Sequence, residues 1–220
     1  MNPLVEAKLR AFLDGKLPFS PPPLDAAIAV EVLGPSGAPE TPHRRLLELA
    51  NGAYLYGGAL HLFGACDAPA WHSLRAWNDM DNWRSAYGHL SDGLTFFAED
   101  AFGDQFAYSG RGGEIVHFAA ELGRAAPIAP DFLAWVDALL DGAESLLPVE
   151  LVRAQAAAGR AFAPGKHYFA WPPLFSVEAR DGVEIGHVDA VEAMRVRGQL
   201  ARQASALPPG TQIRVDVEDE

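Results

Sequence analysis

The sequence predicts an α+β protein, a bent antiparallel sheet backed by helices with a C-terminal α/β extension. Three observations carry this expectation. Apolar stretches at 94–98, 105–108 and 114–118 are joined by connections too short for a parallel crossover, so they pair as an antiparallel meander. Segments with helical spacing flank them, most plainly at 131–141, where Phe132, Trp135, Val136 and Leu139 fall on one face. The 49% of hydrophobic residues supplies a core, while 21 Gly and 17 Pro argue for many turns and against a coiled coil or repeat bundle.

Taken in order, residues 3–14 place Leu4, Val5, Leu9, Phe12 and Leu13 at helical spacing. Pro18 and the run Pro21, Pro22, Pro23 end that helix, because proline lacks the amide hydrogen and holds the chain extended. Residues 26–33 read as a strand, closed by the turn at 34–37. Leu46, Leu47 and Leu49 mark a short helix at 43–50, stopped by Asn51 and Gly52. The apolar stretch 54–64 contains Gly57 and Gly58 and suits two short strands, or one strand with a bulge. Residues 67–91, with Trp71, Trp77 and Trp83, read as helix or loop lying over the sheet.

The meander follows, with an acidic turn at 99–104 and a glycine turn at 110–113 between its strands. Beyond Pro148 an alanine-rich helix at 149–162 is broken by Pro164 and Gly165. Strands at 168–177 and 183–188 precede a helix capped by Asp189 and running to Ser205. Ile213, Val215 and Val217 alternate with polar residues as an edge strand. The break divides the chain into 1–147 and an extension, 148–220, expected to pack on the first part.

The chain holds 17 Lys+Arg against 29 Asp+Glu, a net charge of −12. Residues 1–147 carry 9 against 19, a balance of −10, and 148–220 carry 8 against 10, a balance of −2. So acidic a surface repels phosphate, which argues against nucleic-acid binding. No apolar run reaches the ~18–20 residues of a membrane helix. Charges also occupy the N-terminal stretch where a signal peptide needs its apolar region, so a cytoplasmic protein with no membrane contact is expected. The single cysteine, Cys66, excludes an internal disulfide and a cysteine-based zinc site.

Within one stretch Asp79, Asp81, Asp92, Glu99, Asp100 and Asp104 are offset only by Arg84. Such acids keep a protein soluble, or they steer a basic partner to its site, and these six are the candidate partner-binding residues. Glu99, Asp100 and Asp104 are also the best paired carboxylates for acid/base work, but Asp and Gly in a tight turn have backbone reasons to be there. Cys66 lies five residues after His61, a spacing that shows no base within reach and no third orienting group.

His72 with Asp79 and Asp81 can be drawn as a metal cluster, yet the seven histidines show no ligand spacing. His117, in mid-strand, reads as a satisfied, half-buried side chain. The glycines at 110–113 lack the Lys-Ser/Thr of a phosphate loop, and Ser36 and Ser109 stand outside any nucleophile elbow. The three tryptophans read as core. No catalytic residue, metal ligand or cofactor is expected.

The order of these features resembles the SUKH superfamily, the Smi/Knr-type proteins. LLELANG at 46–52 is similar to that family's helix ending in Asn-Gly, and YGGALHLFG at 56–64 to the strand after it. LTFFAEDAFGDQFAY at 94–108 resembles the family's centre, an apolar strand, an acidic turn, Gly-Asp and a second strand. EIVHF at 114–118 and IAPDFLAWV at 128–136 resemble the next strand and the closing helix, although Pro130 replaces a more usual Asp. The match covers somewhat under half the chain, and 148–220 has no counterpart in it. The resemblance implies protein binding without catalysis. Bacterial members are inferred to be immunity proteins that neutralise toxins, and fungal relatives regulate cell-wall synthesis. The partner it implies is a protein, with a basic toxin domain as the case that fits the charge, and the chain is expected to be a monomer or weak dimer. A regulatory scaffold is the alternative, and a hydrolase using the acidic turn or Cys66 a third.

Overall fold

The structure, a computed structural model, describes residues 2–110, 113–173, 176–208 and 211. Six strands follow one another in a single antiparallel sheet: β1 (Ala53–Leu55), β2 (Leu60–Leu62), β3 (Leu94–Asp100), β4 (Gln105–Ser109), β5 (Ile115–Ala119) and β6 (Arg124–Ala129). A separate hairpin pairs β7 (Lys166–Trp171) with β8 (Glu184–Asp189). The helices are α1 (Pro3–Phe12), α2 (Ala26–Leu33), α3 (Pro42–Leu49), α4 (Leu74–Asn78), α5 (Ser85–Tyr87), α6 (Phe132–Gly142), α7 (Val149–Ala157) and α8 (Ala190–Ser205). The protein is α+β, and no helix among the described residues is long and apolar enough to cross a membrane.

The sheet is covered on both faces, which explains why β3 is almost wholly buried and lacks a polar side. Phe97 meets Phe132 and Trp135 of α6 and His43 of α3, and Trp135 in turn meets Phe12 of α1. Phe96 meets Trp83 and Phe118, and Trp83 reaches Tyr87 of α5, against which α8 packs. Neighbouring residues serve both layers because successive side chains of a strand point to opposite faces; β3 also carries a bulge at this point, where Phe96 pairs with Ala107 and Ala98 with Phe106, leaving Phe97 extra.

The extension completes this core. Tyr168, Ala190, Met194 and Ala201 belong to the same buried cluster as the sheet residues, and the Tyr168 amide donates to Ala101 O at 2.9 Å. The helix expected from residue 189 begins there, with Asp189 Oδ1 accepting from the amides of Val191 (3.1 Å) and Glu192 (3.3 Å).

Several expectations are corrected. Residues 26–33 form α2 and no strand: Asp25 Oδ1 accepts from the amides of Ala27 (2.8 Å) and Ile28 (3.2 Å), and three alanines favour the helix. A short apolar run fits both periods, so the cap decides. The strand read as 94–98 continues through Asp100, which moves Glu99 and Asp100 out of the turn and into the sheet. The helix read as 149–162 stops at Ala157, and the strand read as 168–177 stops at Trp171. Arg111 and Gly112 of the glycine turn, and the stretch with Ile213, Val215 and Val217, lie outside the described residues.

Candidate functional site

The six acids expected on one face divide into three environments. Asp79, Asp81 and Asp92 are exposed on the connector between β2 and β3. Asp79 caps the turn Met80–Arg84 by accepting from the Asp81 amide at 2.8 Å. The nearby cation, Arg84, turns inward and donates to Asn78 O (3.0 Å) and Ser91 O (2.6 Å). None of the three acids forms an ion pair among the described residues.

Glu99 is the opposite case. It is 3% exposed, so the expectation of a partner-facing Glu99 is corrected: the layer of helices over β3 encloses it. Its register partner on β2 is His61, whose Nδ1 lies 2.9 Å from Glu99 Oε1. Gln105 Nε2 donates to Oε2 at 3.1 Å and to Gly103 O at 2.9 Å. His167 Nε2 stands 3.0 Å from Oε2 at an angle outside hydrogen-bond geometry, an electrostatic contact. A chain of rings extends away from the carboxylate, with His61 Nε2 to His72 Nδ1 at 2.9 Å and His72 Nε2 to Asn51 O at 3.0 Å. On the other side Arg197, 3% exposed, donates from Nη1 to His167 Nδ1 (3.2 Å) and from Nη2 to Tyr168 O (3.1 Å).

Counting donors and acceptors assigns the protons. Asn51 O only accepts, so His72 Nε2 carries a hydrogen, and the neutral ring then offers Nδ1 as an acceptor. His61 Nε2 therefore donates, which leaves one proton on the His61 Nδ1–Glu99 Oε1 contact. His167 can only accept from Arg197 at Nδ1, so its proton sits on Nε2, facing Glu99. Burial alone would raise the Glu99 carboxyl, but His167 and His61 outweigh it and hold it at about 2. Burial pulls His61 down against the opposing carboxylate, and burial with the nearby His61 takes His72 to about 3. A carboxylate and a ring with opposed preferences, joined by one short contact, share that proton. No part of this network reaches solvent appreciably, so it acts as a polar clamp that ties β2, β3 and β4 to β7 and α8.

The third environment is a cleft of about 430 Å³ where the β3–β4 and β5–β6 turns meet α7, β7 and α8. Asp100, only 6% exposed, is among the residues that line it. Asp100 Oδ1 accepts from the amides of Phe102 (2.8 Å) and Asp104 (3.0 Å), the geometry that makes the turn. Asp104 Oδ1 accepts from the Ala120 amide at 2.8 Å and Oδ2 lies 3.2 Å from His117 Nε2. Burial first, and the Asp104 charge second, push the Asp100 carboxyl up to about 8. A carboxyl that stays protonated near neutrality beside a second carboxylate can donate a hydrogen bond or a proton. His117 is raised by its contact with Asp104, so it is a half-buried, partnered histidine as expected.

The other sequence candidates fall apart in space. Cys66 is buried, with its thiol pushed up to about 11 by burial and its Sγ near Gly64 O, so it is no thiolate nucleophile. His61, which precedes it, is turned to Glu99. His72 is buried while Asp79 and Asp81 are exposed, and no group of His, Cys, Asp or Glu that could hold a metal occurs among the described residues. Trp77 and Trp83 are core residues.

Sequence reasoning missed His167, Gln105 and Arg197. Only the His61–Glu99 pairing had a local signal, a histidine on a strand whose neighbour offers a carboxylate in register. His167 and Arg197 arrive from the distant extension. No family model matches the chain, and no curated protein matches it.

Proposed function

We propose that the chain is a non-catalytic protein-binding protein of the SUKH type, an immunity protein that binds and neutralises a basic bacterial toxin domain. The observation that carries the reading is the placement of charge: Asp79, Asp81 and Asp92 stand exposed and without ion pairs on one connector, in a chain of net charge −12. Unpaired acids of this kind accelerate encounter with a cationic surface and make association salt-dependent. On this reading it works in the cytoplasm, as a monomer or weak dimer, with a protein as its partner and no nucleic acid.

The test is capture of partners by the tagged chain, followed by kinetics on the purified partner. A single basic protein, held at low salt and released at high salt, is expected. The triple variant Asp79→Asn, Asp81→Asn, Asp92→Asn slows its association by about tenfold or more at low salt, with little change in dissociation. Several neutral partners with salt-insensitive binding would replace this reading by a regulatory scaffold. One observation favours a further alternative, a ligand-binding or hydrolytic role: the Asp100 carboxyl lines a real cleft and is raised to about 8. Turnover of a small molecule that is lost in Asp100→Asn would decide for it.

A further inference from the structure

The cleft beside the β3–β4 turn combines two properties that rarely coincide. Its floor is polar and acidic, with Asp100, Asp104 and Glu121, and its rim is apolar, with Leu122 42% exposed and Leu151 53% exposed. A leucine exposed singly needs no explanation, but two of them lining the same acidic cavity make an amphipathic receptacle. The floor contains a carboxyl oxygen without a partner among the described residues. Asp100 is more than nine-tenths buried and its Oδ1 is fully occupied by two backbone amides, while Oδ2 has no partner among the described residues. The one cation in the lining, Arg197, makes no hydrogen bond to it: its nitrogens are turned to His167 and Tyr168 O, and its guanidinium lies over the Phe169 ring at 4.7 Å.

The chemistry of an occupant follows. Asp104 and Glu121, joined by Asp100 once its proton is released, oppose an anion. They are also not gathered closely enough to hold a bare metal ion among the described residues. An organic cation on an aliphatic stem fits both halves, its head on the floor and its methylenes along the leucines. At about 430 Å³ the cleft has room for one long side chain, since whole small ligands occupy ~300–1,000 Å³.

We propose that this cleft receives a lysine or arginine side chain of the protein partner, with the cationic head on Asp100 Oδ2 and the stem between Leu122 and Leu151. The proposal rests on the protein-binding reading and adds the anchor residue that the partner must supply. The raised Asp100 carboxyl supports it, because a cation at Oδ2 favours the ionised form and binding then releases a proton. Around Asp100 the charged groups are Asp104 on the turn, His117 on β5, Glu121 on the β5–β6 turn and Arg197 on α8. Loss of the Asp100 proton makes the floor more negative, so affinity for the cation rises with pH.

The experiment follows the Leu122 and Leu151 methyl resonances of the full chain at low salt during titration with N-acetyl-arginine amide. N-acetyl-citrulline amide serves as the neutral isostere. The expected result is saturable movement of both methyls by the arginine probe, with a dissociation constant on the order of millimolar. Citrulline should bind at least about fivefold more weakly, and the arginine affinity should rise between about pH 6.5 and 8.5. Asp104→Asn keeps the acceptor for the Ala120 amide and, compared at the upper end of that pH range where Asp100 is mostly ionised in both chains, weakens binding through charge. Leu151→Ser, on the exposed side of α7, weakens it through the stem without touching the floor. Equal binding of citrulline, movement confined to other methyls, or no saturable movement overturns the proposal. A purified toxin whose affinity is unchanged by Asp104→Asn and Leu151→Ser overturns the cleft and leaves the protein-binding reading standing. Arginine binding in the cleft with no protein partner would do the reverse.

Discussion

Replacing Glu99 tests the proton count at the centre of the fold. With Glu99→Gln, the amide NH₂ faces His61 Nδ1 and the remaining oxygen faces Gln105 and His167. His61 gives up one proton and accepts at Nδ1 while still donating from Nε2 to His72. Every hydrogen bond survives, and only the charge assistance is lost, at a cost of about 1 kcal/mol. Glu99→Ala differs in kind. His61 Nδ1 and His167 Nε2 both lose their acceptor or partner inside the core, at ~1–3 kcal/mol each. Gln105 keeps Gly103 O at 2.9 Å and loses less. With the cavity added, the alanine variant is expected to lose about 3–5 kcal/mol. Urea unfolding at pH 7 reads both, since the buried indoles of Trp77, Trp83 and Trp135 report loss of the core. Imidazole nitrogen shifts of His61 report the tautomer, with Nε2–H alone expected in Glu99→Gln. If glutamine costs as much as alanine, the site requires a full negative charge and the single shared proton is wrong.

Further expectations concern pH and the turn. Burial takes His43 and His72 to about 3, from an ordinary value of 6.5. Below pH 6.5 the unfolded chain takes up protons these rings refuse, so stability falls by ~1.4 kcal/mol per pH unit for each until about pH 3. Glu99 adds a loss between its ordinary 4.5 and about 2, where the native pairing is finally protonated. Denaturant midpoints that stay level from pH 7 to pH 5 would contradict this. Asp100 runs the other way: its native carboxyl at about 8 lies above the ordinary 3.8, so the native state loses stability as pH climbs between those values. Asp100→Asn keeps the Oδ1 acceptor and should gain on the natural chain from pH 5 to pH 8, measured by thermal midpoint; a constant difference across that range would refute it. Gly103 has φ +93°, and a Cβ there would stand 2.7 Å from Arg197 Nη1 and 2.8 Å from His167 Nδ1. Gly103→Ala is expected to cost about 2–4 kcal/mol in urea unfolding and to displace the His167 resonances. A neutral result would show that α8 docks more loosely than its packing implies.

The antiparallel meander, the helix at Phe132, Trp135, Val136 and Leu139, and the Asp189 cap were legible in the chain because each rests on local periodicity, a short loop or a single capping side chain. The helical state of 26–33 was not, because an eight-residue apolar run satisfies both periods and the choice fell to Asp25 and the surrounding packing. The acids show the same division. Composition established that the protein is acidic, and the order of residues put Asp79, Asp81 and Asp92 in one acidic stretch with Glu99, Asp100 and Asp104. It left unseen that helices close over both faces of β3, which turns Glu99 from a surface charge into the centre of a buried network and Asp100 into a cleft wall. Burial depends on what packs from elsewhere. His167 and Arg197 come from the extension, far along the chain, and no local pattern in 94–108 announces them. The extension therefore supplies the partners that a buried carboxylate needs, and it joins the one core around the sheet.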